Sequence, residues 1–101
     1  MNVVKFSDLV QDRIKSCIET MRYKRNEYAE EQDVLRNFRD AGRVAGVPAE
    51  KALFGMWLKH LISLMDMIDG KTEYDLAMIN EKFIDNHNYL YLLEALLRER
   101  L

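Results

Sequence analysis

Residues 47–70 read VPAEKALFGMWLKHLISLMDMIDG, and this stretch decides the fold. Pro48 suits the first position of a helix, where a missing N–H costs nothing, and Gly70 suits the stop after its end. Between them Phe54, Met56, Trp57, Leu58, Leu61, Ile62, Leu64, Met65, Met67 and Ile68 cover almost the whole circumference of a helix. That pattern belongs to a buried helix, so this one is expected to be central or to pack in an oligomer. Its few polar residues, Lys59, Ser63 and Asp66, are spaced four and three apart and fall on one stripe.

Outward from it the period stays helical. Ser7 is expected to cap a first helix with Val10, Ile14, Cys17, Ile18 and Met21 on one stripe, which either continues or breaks within the charged stretch from Arg22 to Asp33. Asp33 is the expected N-cap of a second helix with Val34, Leu35, Phe38, Ala41 and Ala45 inward, ended by Gly46. Thr72 with Asp75 resembles a capping box opening a fourth helix. That helix carries Leu76, Ile79, Phe83, Asn86, Leu90, Leu93 and Leu97 as a heptad-like seam whose one polar member, Asn86, would set register. The expectation is an all-α, four-helix bundle-like single domain over residues 1–101, assembled as a homo-oligomer, most simply a dimer.

Composition narrows the function. With 49% hydrophobic and 32% charged residues the chain resembles a globular protein and not a disordered one. A net charge of -2, with basic residues interleaved among acids, disfavours a nucleic-acid backbone binder. A lone Cys17, no zinc-finger spacing, no signal-peptide core in MNVVKFSDLVQDR and no apolar run of about 20 residues suggest a cytoplasmic protein with no membrane association. No nucleophile signature or glycine-rich phosphate loop is present, which disfavours covalent catalysis.

The chemistry resides in the polar stripes. Glu81, Asp85 and Asn88 lie four and three apart on the fourth helix, matching Lys59, Ser63 and Asp66 on the third. Carboxylates on adjacent helices are a helical protein's means of holding magnesium, with substrate phosphates completing the shell. The stripe of Glu81, Asp85 and Asn88 continues into Leu92, Ala95 and Leu96, so a polar pocket is expected near the start of a helix packed on two sides. The plain alternative makes Glu81 and Asp85 an exposed face, with Asp66 pairing with Lys59 or capping its helix. His60 and His87 read as structural more often than catalytic. Asn37 would read a base or sugar or simply stand exposed, and Arg36, Arg39 and Arg43 would meet phosphates or the carboxylates of Asp33 and Asp40. Trp57 and the methionines read as core.

The ordered run of Tyr28, Val34-Leu35-Arg36-Asn37-Phe38, Lys59-His60-Leu61-Ile62-Ser63-Leu64-Met65-Asp66, Glu81-Lys82-Phe83-Ile84-Asp85 and Asn88-Tyr89-Leu90 resembles small phage and prophage proteins. These are in turn similar to the all-α NTP pyrophosphohydrolases of the MazG and dimeric dUTPase type. The resemblance implies an oligomeric helical bundle in which Asp66, Glu81 and Asp85 bind magnesium. Lys59 would lie on phosphate, and Asn37, His60, Ser63 and Asn88 would contact the nucleotide. The better-known members carry a Glu-x-x-Glu pair on the first acidic helix, where this chain has Lys59 and Ser63, and its second pair is the wider Glu81-x-x-x-Asp85. Two functions follow: magnesium-dependent nucleoside triphosphate pyrophosphohydrolysis, or non-catalytic binding that sequesters a nucleotide or blocks a host protein.

Overall fold

The computed structural model describes residues 1–27 and 33–101, apart from the side chains of 23–27. Tyr28, the first residue of the run that carries the resemblance, lies outside those residues. Among them are four helices and no strand: α1 Val3–Glu27, α2 Arg36–Ala45, α3 Ala49–Ile68 and α4 Leu76–Glu99. No helix among the described residues is long and apolar enough to cross a membrane. The chain divides into two compact units, Met1–Glu31 and Gln32–Leu101.

In the first unit, α1 starts five residues before the expected place. Asn2 Oδ1 accepts the Lys5 N–H at 2.8 Å, and Ser7 lies inside the helix. Asparagine caps at least as well as serine, and Val3 to Phe6 continue the helical stripe upstream of Ser7. Cys17 is buried, and that burial pushes its thiol pKa up, away from the reactive thiolate. Val10, Ile14, Ile18 and Met21 remain exposed on the same helix.

The second unit opens with a turn. Asp33 does not cap α2 directly: its Oδ1 accepts the Leu35 N–H at 3.0 Å, and Leu35 occupies the N-cap position. Leu35 and Phe38 point inward as expected, whereas Val34 is exposed in the turn. Gly46 ends α2 at φ 70°, and the Val47 N–H closes the motif on Gly42 O at 3.0 Å. Pro48 sits one place earlier than expected, as the N-cap of α3. The corner is tight because a Cβ on Gly42 would lie 2.7 Å from Val47 O and 3.2 Å from Ala49 N. That close approach lets α2 fold back onto α3.

Gly70, at φ 70°, ends α3, and the Lys71 N–H reaches back to Asp66 O at 2.9 Å. The fourth helix begins at Leu76 and not near Thr72, because the chain first completes this C-terminal turn. Asp75 then caps the helix, accepting the Met78 N–H at 2.9 Å. Trp57 meets Asn86 and Tyr89, His60 meets Asp85, and Glu50 meets Arg100, so numbers rise along one helix as they fall along the other. Helices α3 and α4 therefore form an antiparallel hairpin.

The core sits where α2, the start of α3 and the end of α4 meet. Leu35, Phe38, Leu53 and Leu96 are buried there, with Ala49, Trp57, Tyr89, Leu92, Leu93 and Ala95 packed against them. The expected α4 seam holds at Asn86 and Leu93 and departs at other positions. Leu96 is 3% exposed while its neighbour Leu97 is 45% exposed, and Phe83 and Leu90 also face outward. The inward row runs through Asn86, Tyr89 and Leu96, and Leu92, Leu93 and Ala95 beside it pack on the core that Leu96 shares with Leu35, Phe38 and Leu53. Nor does the second unit enclose α3: Leu53 is buried, but Phe54, Met56, Leu58, Ile62, Met65 and Ile68 are exposed.

Gly42→Ala is expected to destabilise the second unit by about 1–3 kcal/mol, since a methyl group would meet backbone that cannot move aside cheaply. Val44→Ala, at an exposed position on the same helix, should change stability by no more than about 0.5 kcal/mol. Urea denaturation followed by Trp57 fluorescence measures both, and an unchanged midpoint for Gly42→Ala would contradict the close corner.

Candidate functional site

The sole tryptophan anchors the site. Trp57 Nε1 donates to Asn86 Oδ1 at 2.9 Å, and Asn86 Nδ2 donates to Lys82 O at 2.8 Å and His60 O at 3.4 Å. Asn86 is buried, so these bonds satisfy a polar group that would otherwise be costly inside the fold. They fix how α3 and α4 align, the register role expected of Asn86. The Tyr89 ring stacks on Trp57 at 6.4 Å, meets Phe38 edge-on at 6.5 Å and lies 5.1 Å from the His60 ring. Burial, with the nearby Asp85 charge, pushes the Tyr89 pKa up. Trp57 is thus core, as its apolar surroundings suggest.

This register places the two polar stripes. In an antiparallel pair of right-handed helices, residues one step before the buried row on each helix project to the same side of the interface. Lys59 and Asp85 precede His60 and Asn86; Ser63 and Asp66 extend the first stripe, and Glu81 and Asn88 extend the second. The stripes therefore lie side by side on one side of the hairpin and do not face each other across a cleft. Continued toward the loop, the register sets Asp66 level with Glu81 and Lys59 level with Asn88.

The change from polar to apolar along α4 now has a cause. Leu92 and Ala95, further along the same stripe, pack on the core that includes Leu35 and Phe38, and Glu99 beyond them pairs with Arg39. Helix α2 covers the apolar end of the stripe and leaves the polar end open.

Each candidate takes a definite place. Lys59 and Glu81 are exposed, and Asp66 is half-buried. Ser63 Oγ donates to Lys59 O at 3.1 Å, an internal helix contact. Asp85 Oδ2 lies 3.6 Å from His60 Nδ1, with both side chains half-buried. Asn88 is half-buried, and its Oδ1 is sealed from solvent with no hydrogen-bond donor. Asn37 is exposed on α2. Among the described residues no three His, Cys, Asp or Glu side chains are arranged to hold a metal ion. Asp66, Glu81 and Asp85 thus share a side of the hairpin without being gathered into one such group.

The arginines of α2 have carboxylate partners. Arg39 pairs with Asp33 and Glu99, Arg43 pairs with Asp40, and Arg36 lies 3.6 Å from Asp40. These pairs favour the surface-charge reading over a phosphate clamp. Sequence reasoning missed the closure of the hairpin's open end, where Arg100 Nε and Nη2 donate to the Glu50 carboxylate at 3.0 and 2.7 Å. No local spacing signals a contact between residues so far apart in the chain. The Arg100 hydrogen bonds hold the Glu50 pKa below the usual glutamate value. No family model, curated protein or solved structure matches the chain.

Two measurements test this geometry. Asn86→Leu removes the acceptor for Trp57 Nε1 and should cost about 1–3 kcal/mol, with a shift in Trp57 emission; an unchanged denaturation midpoint would count against the register bond. Because the folded pKa of Glu50 is depressed, its pairing stabilises the fold above the unfolded value of about 4.3 and loses that effect as pH falls through the folded value. The stability gap between wild type and Glu50→Gln should therefore be present at neutral pH and shrink in acid. A gap independent of pH would show that the carboxylate charge is not responsible.

Proposed function

We propose that this chain is a non-catalytic helical binding protein whose open polar side takes a nucleotide or a similarly phosphorylated small molecule, in a homo-oligomeric assembly. The carrying observation is Asn88 Oδ1, an acceptor desolvated by the fold but given no donor. Leaving such a group unpaired is costly, and a turn of the half-buried Asn88 side chain toward the open side would let it accept from a base or sugar N–H or O–H and relieve the cost. Lys59, exposed at the same level of the hairpin, supplies a positive charge for phosphate. Ser63, His60 and Asp85 line the stretch between them. Asn37 has no part in this reading, since it stands exposed on α2.

A second reading keeps magnesium-dependent pyrophosphohydrolysis, as the resemblance to MazG-type proteins implies. The placement of Asp66, Glu81 and Asp85 on one side of the hairpin favours it. The metal would then need further carboxylates, contributed by another copy, to complete its oxygen shell. In this reading the chain's Lys59 holds phosphate charge, and Asn88 and His60 orient the nucleotide.

Calorimetry with nucleoside mono-, di- and triphosphates, with and without magnesium, alongside an assay for released pyrophosphate, separates the readings. The expected result is binding without turnover, weakened roughly tenfold by Lys59→Ala or Asn88→Ala, the loss of about 1.4 kcal/mol that one charge-assisted contact supplies. Turnover abolished by Asp66→Asn or Glu81→Gln would establish the hydrolase instead. Absence of binding to every nucleotide would sink both and leave a protein target.

A further inference from the structure

The side of α3 turned away from α4 carries Lys51, Gly55, Leu58, Ile62, Met65 and Asp69, at alternating steps of four and three. This spacing makes a second straight row, separate from the Leu53–Trp57–His60 row that meets α4. Leu58, Ile62 and Met65 are 44%, 51% and 53% exposed, so the helices of the second unit leave the row uncovered. Lys51 and Asp69, at its two ends, are exposed and form no ion pair among the described residues.

We propose that this row is the seat of a second copy of the chain, its α3 packed antiparallel on a two-fold axis near the middle of the helix. The row is self-complementary under that operation. Leu58 comes opposite the partner's Ile62, Gly55 opposite the partner's Met65, and Lys51 opposite the partner's Asp69. Small meets large and positive meets negative, each pair twice. A parallel pairing would instead set Lys51 beside its own copy and Asp69 beside its own copy, like charge against like.

Gly55 supports the same arrangement. It lies inside a 20-residue helix, where glycine costs about 1 kcal/mol relative to alanine. Nothing among the described residues of the second unit requires it, because a Cβ there would meet no atom within 4 Å, in contrast to Gly42. Facing the partner's methionine, its missing side chain makes room for a long flexible one and lets the helices approach closely. The row lies away from the polar stripe of Lys59, Ser63 and Asp66, so the proposal stands independently of ligand binding.

Sedimentation equilibrium of the full chain at tens of micromolar, together with circular dichroism, tests it. Wild type is expected to be a dimer. Ile62→Asp would bury a charge at the centre of the contact and should raise the dissociation constant roughly 100-fold or more with helicity retained. The decisive variants are charge reversals at the ends, which the monomer tolerates: Lys51→Glu adds an acid to the first turn of α3, and Asp69→Lys adds a base at its end, both favourable to the helix dipole. Each alone should weaken the dimer several-fold, and the double reversal should restore it. If Ile62→Asp fails to fold, the reversal series decides alone. A monomeric wild type, a dimer indifferent to these changes, or single reversals that the double variant does not repair would each overturn the proposal.

Discussion

The bond from Trp57 Nε1 to Asn86 Oδ1 is the constraint on which the second unit depends. Apolar contacts alone allow two helices to slide past one another at little cost, because neighbouring leucines are nearly equivalent. A buried donor and acceptor are not equivalent to anything nearby: displacement by one turn leaves both unpaired, at about 1–3 kcal/mol each. With Asn86 also donating to the backbone carbonyls of Lys82 and His60, the asparagine ties its own helix and the facing one at a single level. From that level follow the stacking of Tyr89 on Trp57, the approach of His60 to Asp85, and the meeting of Glu50 with Arg100 at the far end.

The same constraint decides where polar atoms can stand. Once the buried row is set, the residues before it on both helices are committed to one side, and α2 covers only the part where α4 offers Leu92 and Ala95. What remains is an open, mixed-charge surface with the unpaired Asn88 carbonyl buried beneath it and no cluster of three metal-binding groups among the described residues. A carboxylate row that opens outward can meet a ligand's polar groups one at a time. Closing around a divalent ion requires oxygens from several directions.

The helices and their stops were legible in the sequence where one residue type answers one backbone need. Gly46 and Gly70 take positive φ, Asp75 caps α4, and Asn86 is the polar member of an apolar seam. Starting points were less legible. Asn2, Leu35 and Asp75 begin helices for which Ser7, Asp33 and Thr72 were equally good candidates, and the choice turns on where the preceding chain finishes its turn. The departures from the expected α4 seam have a related cause. Leu90 and Leu97 follow Asn86 and Leu93 at helical spacing just as Tyr89 and Leu96 do, and only the packing of Tyr89 and Leu96 in the core with Leu35 and Phe38 distinguishes them. Within the site, the stripes were readable from spacing, whereas the side on which they open depends on the direction of helix pairing, which spacing does not contain.

The two apolar rows left over bear on why so short a chain uses so many large apolar residues. A helix hydrophobic all round contributes its full burial only when it has neighbours on every side, and within the second unit α3 has two, α2 and α4. Its remaining face carries Leu58, Ile62 and Met65, bounded by opposite charges at Lys51 and Asp69. A solvent-facing row selected only for solubility would need no apolar residues and no glycine in its interior. The arrangement is economical if the third neighbour is another copy: one helix then serves as the centre of its own fold and as half of the contact that completes it.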